Sequence, residues 1–365
     1  MTPPRSILIV MLSALGDAVQ VLPVVSALRR AYPAARITWV VQPGPHTLVR
    51  HHPGVDDFIL FRRGPRSRSP GALLSAANAL GRTVRAIGER AAGLPGGRFD
   101  LLLDLQVYFK AGLITALSPA AVKLGFDRAR SRDLNGLFVN RRIPPHPQGF
   151  AHTQDQYFEF LRHLGVDPEP VEYHLGPAPG EREAQRSFFA RLPGPACGIV
   201  VGTSDARKNW YAGRYARVVE GVAERFGLHP VLLGGPSPRD RTMIEKIMEE
   251  VEGPPPPVTP VLGDDLRRLL WILDGCAVVV SPDTGPLHVA RAMDVPVVGL
   301  YGFTNPKRSG PYRKFTELVV DGYAAVPGER YPVCMERRPG GMARVRPGEV
   351  LEKVEAALTL RRPGT

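Results

Sequence analysis

The 365-residue chain reads as an α/β protein built from two Rossmann-like parallel-sheet domains facing each other across a cleft. Three observations carry this reading. Short apolar runs of strand length alternate with helical patterns through both halves, as parallel sheets covered on both faces require. A Pro/Gly-rich stretch from Pro168 to Gly180 interrupts the alternation near the middle, in a chain too long for one ordinary core. Both halves also open alike: Ile7-Leu-Ile-Val-Met leads through Ser13-Ala-Leu-Gly-Asp17 into a helix, and Gly198-Ile-Val-Val-Gly leads through Thr203-Ser-Asp-Ala-Arg-Lys208 into another. Domains are expected over 1–176 and 177–346, with a last helical segment over 347–365.

In the first half the strands are Ile7–Met11, Arg36–Val41, Asp57–Leu60, Leu101–Leu105 and Val122–Gly125. The helical patterns between them are Ala18–Ala31, Leu73–Ala92 and Tyr108–Leu117, and the Gly/Pro/Arg stretch Arg62–Gly71 is a loop. His152–Leu164 is amphipathic. After the linker come strands Cys197–Val201, Pro230–Leu233, Pro260–Leu262, Ala277–Ser281 and Val297–Tyr301, with helices Ala212–Phe226, Arg239–Glu252, Asp265–Leu273 and Leu287–Met293. Pro347 precedes the final helix Glu349–Leu360.

Composition narrows the function classes. Cys197, Cys276 and Cys334 lie far apart, so no metal-ligand or redox pair is expected and a reducing compartment is implied. The N-terminal apolar run has one basic flank, Arg5, and is broken by Gly16-Asp17, which argues against a signal peptide. No run reaches the ~18 apolar residues of a membrane helix. A cytoplasmic protein is expected, peripheral to the inner membrane if its charge serves a surface. That charge is uneven: residues 60–150 hold 15 Lys/Arg against 5 Asp/Glu, +10 of the total +12. It fits a plain solvated surface, an anionic membrane or an anionic substrate. No zinc finger or RNA-binding pattern accompanies it, so nucleic acid is not an expected partner.

The densest chemistry is Val278-Val-Val-Ser-Pro-Asp-Thr-Gly-Pro-Leu-His288. Asp283, Thr284 and Gly285 fall where a buried strand ends and a helix begins, a junction whose free N–H groups favour an anion. The chain therefore reads as a handler of a phosphate-bearing ligand. Lys208, beside the hydroxyls of Thr203 and Ser204, is either a solvated loop lysine or a cation for that phosphate. Asp17 is either a helix cap or a cleft-facing general base. His288 is a structural histidine or a ligand contact, and Thr304, after the next strand, would join the same cleft. Neither half carries Gly-x-Gly-x-x-Gly or a Walker loop, which argues against dinucleotide redox chemistry and ATP hydrolysis.

These residues resemble glycosyltransferase family 9, the heptosyltransferases of lipopolysaccharide core synthesis. The resemblance spans nearly the whole chain: Ser13-Ala-Leu-Gly-Asp17, Asp104-Leu-Gln-Val-Tyr-Phe-Lys110, Thr203-Ser204 with Lys208-x-Trp210, Asp283-Thr-Gly-x-x-His288-x-Ala290-x-Ala292, Tyr301-Gly-x-Thr-Asn-Pro306 and Gly310-Pro-Tyr. It implies the GT-B fold, with the final helix packed back on the first domain, and an inverting transfer that needs no metal or cofactor. By the same resemblance Asp17 matches the catalytic base, with Lys208 acting at the diphosphate. Thr203, Ser204, Lys208, Asp283, Thr284, Gly285, His288 and Thr304 would hold the donor, an ADP-heptose. Lys110 with Arg62, Arg63, Arg66 and Arg68 would hold an anionic lipid-linked saccharide acceptor. Two departures bear on the donor: Gly302-Phe-Thr-Asn-Pro306 replaces the usual Gly-Pro-Thr-Asp-Pro, and Pro236-Ser-Pro-Arg-Asp240 stands where an acid usually follows Gly-Gly. Two rival readings stand beside it: a nucleotide-sugar 2-epimerase of the same architecture, and a non-catalytic nucleotide-sugar-binding assembly protein.

Overall fold

The computed structural model describes residues 2–64, 69–252 and 257–360. The chain clusters into two compact units, Met1–Gly149 with Gln154–His174, and Phe150–Thr153 with Leu175–Thr365.

The first unit runs β1 (Ser6–Val10), α1 (Leu15–Ala31), β2 (Arg36–Val41), α2 (Pro43–Val49), β3 (Asp57–Leu60), α3 (Pro70–Ala92), β4 (Phe99–Asp104), α4 (Phe109–Leu117), β5 (Ala120–Gly125), β6 (Arg141–Arg142) and α5 (Thr153–His163). Its six strands lie in the order β3-β2-β1-β4-β5-β6, all pairings parallel. The core is the continuous apolar run Ile7–Met11 and its neighbours: Leu8 and Val10 pack with Val40, Ile59, Leu102 and the inward faces of α3 and α4 through Ala79, Ile87, Ala111 and Ile114. Burial on both faces is what the unbroken Val/Ile/Leu runs require. Helix α3 begins at Pro70, three residues before its periodicity shows, because Ser69 caps it by accepting the Ala72 N–H at 3.3 Å.

The second unit runs α6 (Arg182–Phe189), β7 (Ala196–Val200), α7 (Ala212–Phe226), β8 (His229–Gly234), α8 (Pro238–Glu249), β9 (Thr259–Leu262), α9 (Leu266–Gly275), β10 (Val278–Pro282), α10 (Gly285–Ala292), β11 (Val297–Tyr301), α11 (Pro306–Ser309), β12 (Val319–Asp321) and α12 (Pro347–Leu358). Its strand order is β12-β11-β10-β7-β8-β9, again all parallel. Both sheets thus share one plan: the first strand lies inside the sheet, and the order reverses between it and the fourth. That reversal opens a crevice at the carboxyl ends of β1 and β4 in one unit and of β7 and β10 in the other.

The last helix is built into the packing of the second unit. Its described part, α12, clusters with the second unit and packs on α7 and on β10, β11 and β12. The reason is a fitted apolar contact: Val350, Leu351, Val354 and Ala357 are buried, and Leu351 fills a notch over Gly221 of α7, where a Cβ would come within 2.5 Å of its Cδ1.

Candidate active site

The reversal point of the second sheet holds the residues the sequence singled out. β10 ends at Pro282, and Asp283 follows it into a buried position. Its Oδ2 accepts a hydrogen bond from Lys208 Nζ at 2.8 Å and another from Thr304 Oγ1 at 2.6 Å. Lys208 also donates to the Asp283 carbonyl at 3.2 Å. Three separate loops, after β7, β10 and β11, are therefore tied at one carboxylate. Burial works against the Asp283 charge, but the Lys208 charge, with the hydrogen bonds from Lys208 and Thr304, holds its pKa below the ordinary value. His288, on the next turn of α10, places Nε2 4.0 Å from Asp283 Oδ1. Burial, helped by the nearby charges of His152 and Lys208, pushes its pKa down to about 4, so the ring is neutral at physiological pH.

Thr284 is the N-cap of α10 and Gly285 its first residue; Pro286 follows within the first turn. The Thr284 hydroxyl does not cap the helix it precedes. The start of α10 follows Asp283 directly, so a positive helix end lies next to the Lys208 ammonium. The β7 loop is closed by Thr203, whose hydroxyl lies 2.6 Å from both the Asp205 carbonyl and Asn209 Oδ1, with Ser204 exposed at its tip. Asp205 caps the following turn by accepting the Arg207 N–H at 3.1 Å, which fixes where Lys208 leaves the backbone.

Asp240, which the sequence left unassigned, is built into the same sheet edge. Its Oδ2 accepts the Gly235 N–H at 2.7 Å, and a Cβ on Gly202 would come 2.4 Å from its Oδ1. The glycines after β7 and β8 are there to admit this carboxylate. Its separation from Gly234-Gly235 by four residues hid it; the Ser237 N-cap, with Asp240 at the third helical position, was the available signal.

In the first unit Asp17 lies in the first turn of α1, half-buried, and its Oδ2 accepts the Ala14 N–H at 3.0 Å. It is a cap by geometry, and a carboxylate's several lone-pair sites leave that bond compatible with further chemistry. The turn before it is held from β4: Gln106 Oε1 accepts the Leu12 N–H at 3.2 Å, and its Nε2 donates to the Ser13 carbonyl. Gln106 is itself seated by Asp104, whose Oδ1 accepts the Gln106 N–H at 3.1 Å and whose Oδ2 takes bonds from Thr115 at 2.9 Å and Asn135 at 3.0 Å. Full burial raises the Asp104 pKa to about 6 against the pull of those bonds.

Of the expected acceptor residues, Arg62, Arg63 and Lys110 are exposed in the first unit, and Arg66 and Arg68 lie outside the described residues. Among the described residues no group of three or more His, Cys, Asp or Glu side chains is gathered to hold a metal ion. Nor is any helix there long and apolar enough to cross a membrane.

Two parallel sheets, each with an interior first strand and polar loops at its carboxyl edge, define a GT-B architecture. The model of glycosyltransferase family 9 (heptosyltransferase) matches residues 89–333, more than half of the chain. The chain therefore belongs to glycosyltransferase family 9 and is an enzyme of the glycosyltransferase class. It is similar to the lipopolysaccharide core heptosyltransferase OpsX of Haemophilus influenzae, 29% identical over 324 residues covering 87% of this chain and 84% of that one. Among solved structures it superposes on a family 9 glycosyltransferase from Veillonella parvula with a TM-score of 0.78 at 23% identity, covering 97% of each chain. It also superposes on E. coli heptosyltransferase WaaC with ADP, with a TM-score of 0.70 at 23% identity, covering 96% of this chain and 99% of that one.

Proposed function

We propose that this enzyme transfers a heptosyl group from ADP-heptose to the core saccharide of a lipopolysaccharide precursor, with inversion at the anomeric carbon. The observation that carries the reading is the Lys208–Asp283–Thr304 knot at the reversal point of the second sheet, beside the N-terminus of α10, in a family 9 chain. Lys208 has three N–H donors; two go to Asp283, and the third, with the start of α10 and the hydroxyls of Ser204 and Thr284, suits a diphosphate, while Thr203 spends its hydroxyl on holding the loop. Asp283, held ionised and in place, is an acceptor for hydroxyls of the donor sugar.

In the transfer, an acceptor hydroxyl oxygen bonds to the anomeric carbon as the carbon–oxygen bond to the diphosphate breaks. The hydroxyl proton passes to Asp17, and the departing negative charge is met by Lys208 and the start of α10. His288, buried and neutral, keeps the surroundings of Asp283 from gaining another positive charge. Arg62, Arg63, Arg66, Arg68 and Lys110 serve the anionic acceptor, and the enzyme works in the cytoplasm at the face of the inner membrane. The heptosyltransferase relatives support donor and acceptor alike.

The deciding experiment is mass spectrometry of a reaction containing ADP-heptose and core-saccharide acceptors. The expected result is an acceptor heavier by one heptosyl group, with ADP released only when acceptor is present. Turnover of the nucleotide sugar without acceptor would instead make the enzyme an epimerase.

A further inference from the structure

The loop that the Asp104 network holds in the first unit presents apolar side chains to solvent. Asn135 is fully buried, and its Nδ2 bonds both Asp104 and, at 3.2 Å, the Tyr108 carbonyl at the start of α4. The Arg132 N–H adds a bond to the Val107 carbonyl at 2.8 Å, and the Phe109 and Phe138 rings meet edge to face. This loop is anchored from below, yet Leu134 and Leu137, on either side of Asn135, are 66% and 68% exposed. Leu134 has a φ of 64°, a left-handed conformation that a branched side chain seldom adopts. Tyr108 and Phe109 are exposed beside them. Leu73 and Leu74, exposed in the first turn of α3, follow β3 at the same carboxyl edge of the sheet. Lys110, in the first turn of α4, and Arg128 and Arg132, in the segment that carries Leu134 and Leu137, are exposed as well.

We propose that this rim is the surface by which the enzyme sits on an anionic bilayer. Leu134 and Leu137 enter the boundary between headgroups and acyl chains, while Arg128 and Arg132 meet headgroup phosphates. A bilayer rather than a protein partner is the occupant that the charge fits: apolar tips set among cations, in a segment carrying +10, match an apolar phase beneath an anionic sheet. Backbone strain held by a buried network keeps the leucines out of the core and available for insertion. The proposal deepens the reading of a lipid-linked acceptor and rests on it.

The test is co-sedimentation with vesicles of phosphatidylglycerol and phosphatidylethanolamine at low and high salt. Leu134→Ser/Leu137→Ser should partition about tenfold more weakly than the unaltered protein, with the loss persisting at high salt because it is apolar. Separately, Leu137→Trp should give tryptophan emission that shifts to the blue when vesicles are added. Unchanged partitioning of the serine pair, or emission that ignores vesicles, overturns the proposal. Turnover of ADP-heptose on a soluble, deacylated core saccharide separates this from the catalytic reading. The serine pair should leave that turnover unchanged, and its absence from the unaltered enzyme would sink the heptosyl-transfer reading while leaving the vesicle result standing.

Discussion

Lys208 and Asp283 are a pair that neither partner can leave without consequence. Asp283 is buried, so Lys208→Ala removes the cation that does most to hold its carboxylate ionised, and burial then drives that group toward its neutral form. The expected result is a loss of ADP affinity of about tenfold or more, from a charge-assisted contact worth roughly 1.5–3 kcal/mol, together with a lower melting temperature. Calorimetry with ADP and a thermal scan check both; unchanged values would reduce Lys208 to a surface lysine. Asp17→Asn keeps a side chain able to accept the Ala14 N–H but removes the proposed base. Turnover should fall ~10²–10⁴-fold while ADP binding holds, and near-normal turnover at saturating substrate would leave Asp17 as a cap only. At this scale the sequence was informative where chemistry is local: Asp283-Thr-Gly and Lys208 stood out as residue types at a strand-to-helix junction. It was silent where partners are distant in the chain. The Thr304 bond to Asp283, the Gln106 clamp on Ser13 and the Asp240 seat under Gly202 are products of strand order, which spacing does not encode.

Strand β4 positions the turn after β1 through Gln106, so the two elements act as one support. Gln106→Leu should lower kcat about tenfold or more while leaving ADP affinity unchanged. Combined with Asp17→Asn it should cost little further, because both changes spoil the same carboxylate. Additive losses in that double-mutant cycle would assign Gln106 to stability alone. A second junction, between α1 and the end of α2, depends on pH. His52 Nδ1 accepts the Gly54 N–H at 3.1 Å and Nε2 lies 3.2 Å from Ser26 Oγ, so the ring is held neutral, and burial with the nearby His174 charge pushes its pKa down to about 4. The unfolded chain then binds the extra proton between pH ~6.5 and ~4, and stability falls across that window as pH drops. Asp104, with its raised pKa, acts in the opposite sense there but is one group against His52 and His288. Urea unfolding should show this acid loss, reduced by up to about 3 kcal/mol in His52→Gln; an equal pH slope in that variant would remove His52 from the account. The long apolar strands were legible because double-faced burial leaves unbroken runs. The short β6 and β12 and the helices α2, α6 and α11 were not, since two to eight residues carry too little periodicity.

For the molecule as a whole, the repeated strand plan puts one polar loop cluster at the reversal point of each sheet, and in the proposed reaction the second meets a diphosphate with Lys208, hydroxyls and the start of α10. Transfer should therefore continue in EDTA at an unchanged rate, measured as ADP release with acceptor present. Loss of activity restored by Mg²⁺ would mean that these groups do not suffice. The closure of the second unit carries a different lesson. Gly302, just past β11, and Gly341 touch backbone to backbone: a Cβ on Gly341 would sit 1.7 Å from the Gly302 carbonyl oxygen, and one on Gly302 would sit 2.2 Å from the Met342 nitrogen. For anyone randomising this enzyme to change its donor, both are positions a library must leave as glycine. The fastening beside Thr304 is made by the absence of side chains, which no selected mutation can improve.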